Sequence, residues 1–233
     1  MRIAVFSDIH GNKEALKAII DDIKNNNIDE VICLGDVIGI GPNPKECVDI
    51  LIDNNIKTVL GNHDLYYLKG TNIDDEMGES EIKHHFWVKS QLTDREKDYL
   101  SKCNMYMELN ANNKKMLFEH FLIDYNSKDE YPFQDLKIVN DGTINSIVET
   151  LDYDYIFIGH EHNAFVVDNK LYDVGTSGCT KDNITRYTII DTTNFSIETK
   201  TIEYDRESFE KELLKQDYPD RNILAKWFFE IEL

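Results

Sequence analysis

Positive charge is what this 233-residue chain is short of: 25 Lys and Arg stand against 44 Asp and Glu, for a formal net charge of −19. Proteins that hold nucleic acid by neutralising phosphates carry clustered basic residues, so a nucleic-acid polymer is not an expected partner. Docking on an anionic membrane is disfavoured for the same reason. Long apolar runs are also lacking. None approaches the ~20 residues of a membrane span, and the first run stops at Asp8, too soon for a secretory leader. Four prolines and eleven glycines are too few for a disordered or collagen-like chain. The four cysteines, Cys33, Cys47, Cys103 and Cys179, form no Cys-x-x-Cys pair. That pattern is neither a zinc ribbon nor a dense disulfide framework. Free, buried thiols in a cytoplasmic protein are expected. What is present, 41% hydrophobic residues, is enough for the core of one domain or one and a half.

The first sixty residues alternate between two periodicities. Arg2–Phe6, Val31–Leu34 and Lys57–Leu60 are short apolar runs suited to buried strands. Between the first two, Ala15, Leu16, Ile19, Ile20 and Ile23 fall on one helical face. Between the second and third, Pro44 opens a helix carrying Cys47, Val48, Ile50, Leu51 and Ile52. Alternating strands and helices predict a parallel sheet with right-handed crossovers. Residues 65–104 break the rhythm and are expected to form a helical insertion. It holds an acidic loop (Asp74, Asp75, Glu76, Glu79, Glu81) and two helices near Ile82–Gln91 and Asp94–Lys102. Strands are expected to return at Met105–Leu109, Lys115–Phe118 and Tyr155–Ile158, with a helix near Thr143–Leu151. Phe165–Val167, Leu171–Val174, Arg186–Asp191 and Ser196–Tyr204 read as a run of antiparallel strands. These define a main domain over residues 1–204. Residues 205–233 read as a helical tail interrupted at Pro219, whose Trp227, Phe228 and Phe229 need a partner: the domain's own surface or a second subunit in a homo-oligomer.

Four polar clusters each follow an apolar run: Asp8-Ile-His10-Gly11-Asn12, Gly35-Asp36, Gly61-Asn62-His63-Asp64 and Gly159-His160-Glu161-His162. Singly, each is an ordinary cap, turn or polar loop. Ligands of α/β sheets bind at the carboxyl ends of parallel strands, so four clusters at four strand ends point to one crevice. The side chains pooled there are carboxylates, an amide and imidazoles. That sulfur-free set suits Mn, Fe, Zn or Ni. Asp-x-His and His-x-His each present two groups on one side of an extended segment.

In this order the clusters resemble the motifs of the calcineurin-like metallophosphoesterase superfamily. The resemblance covers most of residues 2–200. It implies a four-layer αββα sandwich of two mixed sheets and two divalent metal ions, manganese first, bridged by Asp36. One ion would take Asp8, His10 and His162. The other would take Asn62, His160 and a further histidine, for which His120 is the best candidate although Phe121 replaces the family's following glycine. His84 and His85 are competitors expected to be solvated. His63 would contact the phosphate and protonate the leaving group, with Asp64 orienting it. The implied activity is hydrolysis of small phosphate mono- or diesters, nucleotides included, by a metal-bridging hydroxide. Alternatives are an asymmetrical dinucleoside polyphosphate hydrolase and a non-catalytic protein-interaction scaffold. The Gly39-Ile-Gly41-Pro42-Asn43-Pro44 and Gly175-Thr176-Ser177-Gly178-Cys179 loops look like those of the small prokaryotic phosphoesterases. No arginine follows Gly35-Asp36, which ranks the symmetrical diadenosine tetraphosphate hydrolases and the protein Ser/Thr phosphatases low.

Overall fold

The computed structural model describes residues 1–71, 77–122 and 143–232, so Asp74, Asp75 and Glu76 of the expected acidic loop lie outside the described residues. The elements run β1 (Arg2–Phe6), α1 (Lys13–Lys24), β2 (Glu30–Cys33), α2 (Pro44–Asp53), β3 (Lys57–Thr58), α3 (Asn62–Lys69), α4 (Glu79–Gln91), α5 (Asp94–Ser101), β4 (Tyr106–Ala111) and β5 (Lys114–Glu119). They continue with α6 (Thr143–Thr150), β6 (Tyr155–Ile158), β7 (Phe165–Val167), β8 (Leu171–Asp173), β9 (Ile184–Asp191), β10 (Ser196–Glu203), α7 (Arg206–Lys215) and α8 (Arg221–Phe229).

The layers follow from the two-residue period of a strand. In β1, Ile3 and Val5 face one way and pack with Ile32, Leu34, Met116, Phe118 and Phe157. Ala4 and Phe6 face the other way, onto Leu16 and Ile19 of α1 and Cys47, Val48 and Leu51 of α2. In the second sheet Met116, Phe118 and Phe157 point inward, while Leu117, Ile156 and Leu171 point outward onto Val148 of α6. Phe118 and Phe157 stack with ring centroids 5.2 Å apart. Burial of each such aromatic contributes roughly 1.5–3 kcal/mol. The sheets are ordered β10-β9-β1-β2-β3 and β4-β5-β6-β8-β7, and both mix parallel and antiparallel pairs. This is the αββα sandwich of two mixed sheets.

Three details differ from the sequence reading. The four strands between Phe165 and Glu203 are not one antiparallel run. β7 and β8 pair in the second sheet, where β8 also runs parallel to β6, whereas β9 and β10 complete the first. Alternation marks a strand but not its sheet, which is decided by where its apolar face packs. Second, a helix that the sequence reading did not place, α3, begins at Asn62, ahead of the two helices expected in the insertion. Gly61 is its N-cap, and the Asp64 carboxylate accepts the Gly61 amide at 3.1 Å, so the chemical motif is itself a helix start. Third, β3 ends at Thr58, beyond which Val59 makes an isolated bridge to Asn104.

The tail docks on the domain. Phe209 and Phe229 are fully buried, 4.7 Å apart, with Tyr204, Leu213, Ala15 and Ile40. Phe229 thus finds its partner on the domain, while Trp227 remains 75% exposed. All four cysteines are free. Among the described residues no helix is long and apolar enough to cross a membrane.

Candidate metal centre

The carboxyl ends of β1, β2, β5 and β6 and the start of α3 converge, and the chain turns sharply there. Asp8 (φ 54°), His10 (47°), Asp36 (50°), His160 (77°) and His162 (60°) all occupy the left-handed region. That conformation costs a non-glycine residue of order 1–3 kcal/mol. Five such residues at one place mark a site that the rest of the fold holds together. Backbone bonds fasten the loops: Asp8 N donates to Gly35 O, His10 N to Asp36 O, Gly178 N to Asp8 O and Gly159 N to His120 O. Gly61 and Gly178 allow this approach. A Cβ on Gly61 would lie 2.1 Å from Asp36 Oδ1, and one on Gly178 would lie 1.9 Å from Ile9 O.

Seven side chains predicted from sequence as ligands meet here. His10 Nε2 lies 3.0 Å from His162 Nε2, 3.7 Å from Asp8 Oδ1 and 3.6 Å from Asp36 Oδ2. His162 Nε2 lies 3.5 Å from Asp8 Oδ1. His120 Nε2 is 3.2 Å from both Asp36 Oδ2 and Asn62 Oδ1, and His160 Nδ1 is 3.1 Å from the same amide oxygen. His120 reaches this position although Phe121 stands where glycine was expected. Phe121 is not among the residues with positive φ, and it is buried beside Leu60, Leu65 and Tyr66.

The chemistry of this set fits a cation. His120 Nδ1 lies 2.8 Å from Leu34 O and so carries its proton there. Its Nε2 then presents a lone pair to two oxygens, which are acceptors themselves. Asp8 Oδ1 is buried with no hydrogen-bond donor. Acceptors facing acceptors in a dry site require a positive charge between them. Burial lowers the His120 pKa, yet Asp36 and Asp8 beside it push it up to about 10. Burial likewise raises both carboxyls, but the His120 imidazolium holds Asp8 and Asp36 well below the usual carboxylate range.

His63 stands at the edge of the set. Its amide donates to Asp36 Oδ1 at 2.9 Å, and its ring is 4.9 Å from that of His10. Its Nδ1 is buried without a partner, behind Gly39, where a Cβ would lie 2.5 Å from that nitrogen. Asp64 does not orient the ring as expected. Its two oxygens accept Val37 N at 3.2 Å and Gly61 N at 3.1 Å. It ties the second and third loops together because its position in the first turn of α3 aims it at amides, not at the neighbouring ring.

His84 and His85 are not solvated. They are 3% and 5% exposed, and the His85 ring lies 5.2 Å from that of His63. His84 Nδ1 donates to Pro219 O at 3.3 Å. Burial pulls both imidazoles down to about 4. The tail covers this face, a contact 135 residues away that no local pattern announces. Cys179, read from sequence as a buried apolar thiol, brings its sulfur within 4.8 Å of ring nitrogens of His10 and His162. The glycine-rich loop before it was the only signal.

The chain is similar to several known proteins. An uncharacterized protein of Methanocaldococcus jannaschii is 32% identical over 241 residues, 94% of each chain. A symmetrical bis(5′-nucleosyl)-tetraphosphatase of Haemophilus ducreyi is 39% identical over 71 residues, 29% of this chain and 26% of that one. The crystal structure of a metallophosphoesterase from Sphaerobacter thermophilus superposes with a TM-score of 0.70 at 21% identity, covering 97% of this chain and 99% of that one, which is a likeness of fold. The model of the calcineurin-like phosphoesterase superfamily domain matches residues 1–194, and with that match the chain belongs to this superfamily.

Proposed function

We propose that the chain hydrolyses small phosphate mono- or diesters, nucleotides included, with two divalent cations, manganese foremost. The observation that carries the reading is the ring of mutually facing acceptors: Asp8, Asp36 and Asn62 oxygens against His10, His120, His160 and His162 nitrogens. Asp8, His10 and His162 would hold one cation and Asn62, His120 and His160 the other, with Asp36 shared. Cations held there would polarise a phosphoryl group and acidify a water.

The chain's own groups supply the rest. His63, beside Asp36 and shielded by Gly39, is placed to hold the proton that the leaving oxygen needs. Burial, joined by the neighbouring His10, His85 and His84, keeps this imidazole below the usual histidine range against the pull of Asp36. An anionic substrate draws it back toward the protonated form. Asp64 fixes the Gly61–His63 turn through two amides. The 71-residue likeness to a symmetrical tetraphosphatase favours a second reading, cleavage of a dinucleoside polyphosphate. No arginine lies between Asp36 and Pro44. Exhaustive chelation should abolish turnover of an aryl phosphate, and Mn²⁺ should restore it. Unchanged turnover by metal-free protein, with metal loss confirmed by elemental analysis, refutes the proposal.

A further inference from the structure

Beside the metal-ligand cluster lies a cavity of about 600 Å³, within the range of small-molecule sites. His162 belongs to both, so a molecule whose phosphate sits at the centre extends into this space. Two consecutive aromatic residues of α8, Trp227 and Phe228, line its outer side. The Phe228 ring lies 5.7 Å from that of His162, which fixes α8 against the site. Trp227 presents its indole to solvent, 75% exposed. Arg186 of β9 lines the same space. Its Nε is buried with no hydrogen-bond partner, and among the described residues no carboxylate pairs with its guanidinium. Arg2 and Arg221 also lack a carboxylate partner, but their guanidinium groups donate to backbone carbonyls, whereas among the described residues that of Arg186 has no such acceptor. The neighbouring Lys181 is already paired with Glu230 at 2.8 Å, and Asp182 accepts the Ile184 amide at 3.0 Å.

A flat indole at the rim, a second aromatic ring and a guanidinium seeking an anion suit one ligand chemistry. A nucleobase stacks on aromatic faces, and a phosphate satisfies an arginine fork. We propose that this cavity is a nucleotide subsite, with the base on Trp227 and Phe228 and the negative charge facing Arg186. This rests on the phosphoesterase reading for the placement of the reacting phosphate at the centre, and it narrows the substrate class from phosphate esters in general to nucleotides.

The test measures binding apart from turnover. The intact protein is treated with chelator, and adenosine 5′-monophosphate and ribose 5-phosphate are titrated separately, followed by calorimetry and by tryptophan fluorescence. The wild type should bind the nucleotide at least about tenfold more tightly than the sugar phosphate, the stacking of one base being worth that much or more. Trp227→Ala should bring the two within about twofold. Arg186→Gln should weaken both alike, by about tenfold. Circular dichroism checks that both variants are folded, and sedimentation follows their mass. Equal affinity for the two probes in the wild type overturns the proposal, as does retained preference in Trp227→Ala. A Trp227→Ala protein that changes from dimer to monomer while keeping its nucleotide preference makes Trp227 a subunit contact and also overturns it. Loss of all phosphoesterase activity on aryl phosphate, with nucleotide binding intact, would instead count against the hydrolase reading alone.

Discussion

Replacing Gly61 by alanine tests how tightly the loops around the centre are packed. Gly61 has φ −91° and ψ 177°, which alanine adopts without strain. The effect is therefore steric. The added Cβ would lie 2.1 Å from Asp36 Oδ1 and 2.4 Å from Asp36 N. Both fall short of ordinary contact by roughly 1 Å or more. The backbone nitrogen cannot rotate away, so the β2 loop and the start of α3 must separate. Overpacking of this kind costs about 1–3 kcal/mol, and the upper end is expected because backbone is involved. Asp36 Oδ1 also accepts the His63 amide, so both residues move. A displacement of ~1 Å at reacting groups lowers turnover by about 10²-fold. Gly78 provides the control. It too is a helix N-cap with extended backbone (φ −75°, ψ 157°), but a Cβ there meets nothing within 4 Å. Gly78→Ala should change stability by less than about 0.5 kcal/mol. Urea unfolding, elemental analysis and turnover of an aryl phosphate compare the two variants. If Gly61→Ala behaves like Gly78→Ala in all three, the close approach of the two loops is wrong.

His120→Ala should lower bound metal from about two ions per chain toward one, with activity falling in step. Full occupancy and full activity, measured by elemental analysis and turnover, would make His120 an ordinary strand-end histidine. Glu96 tests acid stability away from the centre. Burial raises its carboxyl, but Thr93 Oγ1 and N, each 2.6 Å from Oε2, and Lys45 at 3.4 Å hold it down to about 2. Its folded pKa is below its unfolded value, so its stabilising contribution is complete above about pH 4.5 and is lost as pH falls toward 2. The stability gap between the wild type and Glu96→Gln in urea should therefore close between pH 5 and pH 2. A gap independent of pH refutes the assignment.

Much of this fold was written in local patterns. The strands at Arg2–Phe6 and Phe165–Val167, the face of α1 and the break at Pro219 follow from periodicity and proline alone. The polar clusters were legible because each follows a strand, and strand ends are where a sheet exposes its ligands. What stayed hidden was long-range. His84 read as solvated because Tyr218 and Pro219, which pack on it, belong to the tail, and His85 because its ring neighbours His63 and Tyr66 lie on α3. Asp64 was paired with its neighbour His63 in sequence, although its bonds run to Val37 and Gly61 on other turns. The splitting of the last four strands between two sheets depends on which core each apolar face enters, which alternation does not encode.

The ligand cluster has a consequence for how the chain unfolds. His10 and His162 are separated by 152 residues, and His120 and Leu34 by 86. Their side chains hang from both sheets, so no fragment of the chain carries a complete set. A cation held there acts as a rivet between the halves of the sandwich: neither sheet can peel away without releasing it. Added metal should therefore raise the free energy of opening for amides in β1 and β6 by the same increment, RT ln(1 + [metal]/Kd). Hydrogen exchange would report the two sheets as one cooperative block when loaded.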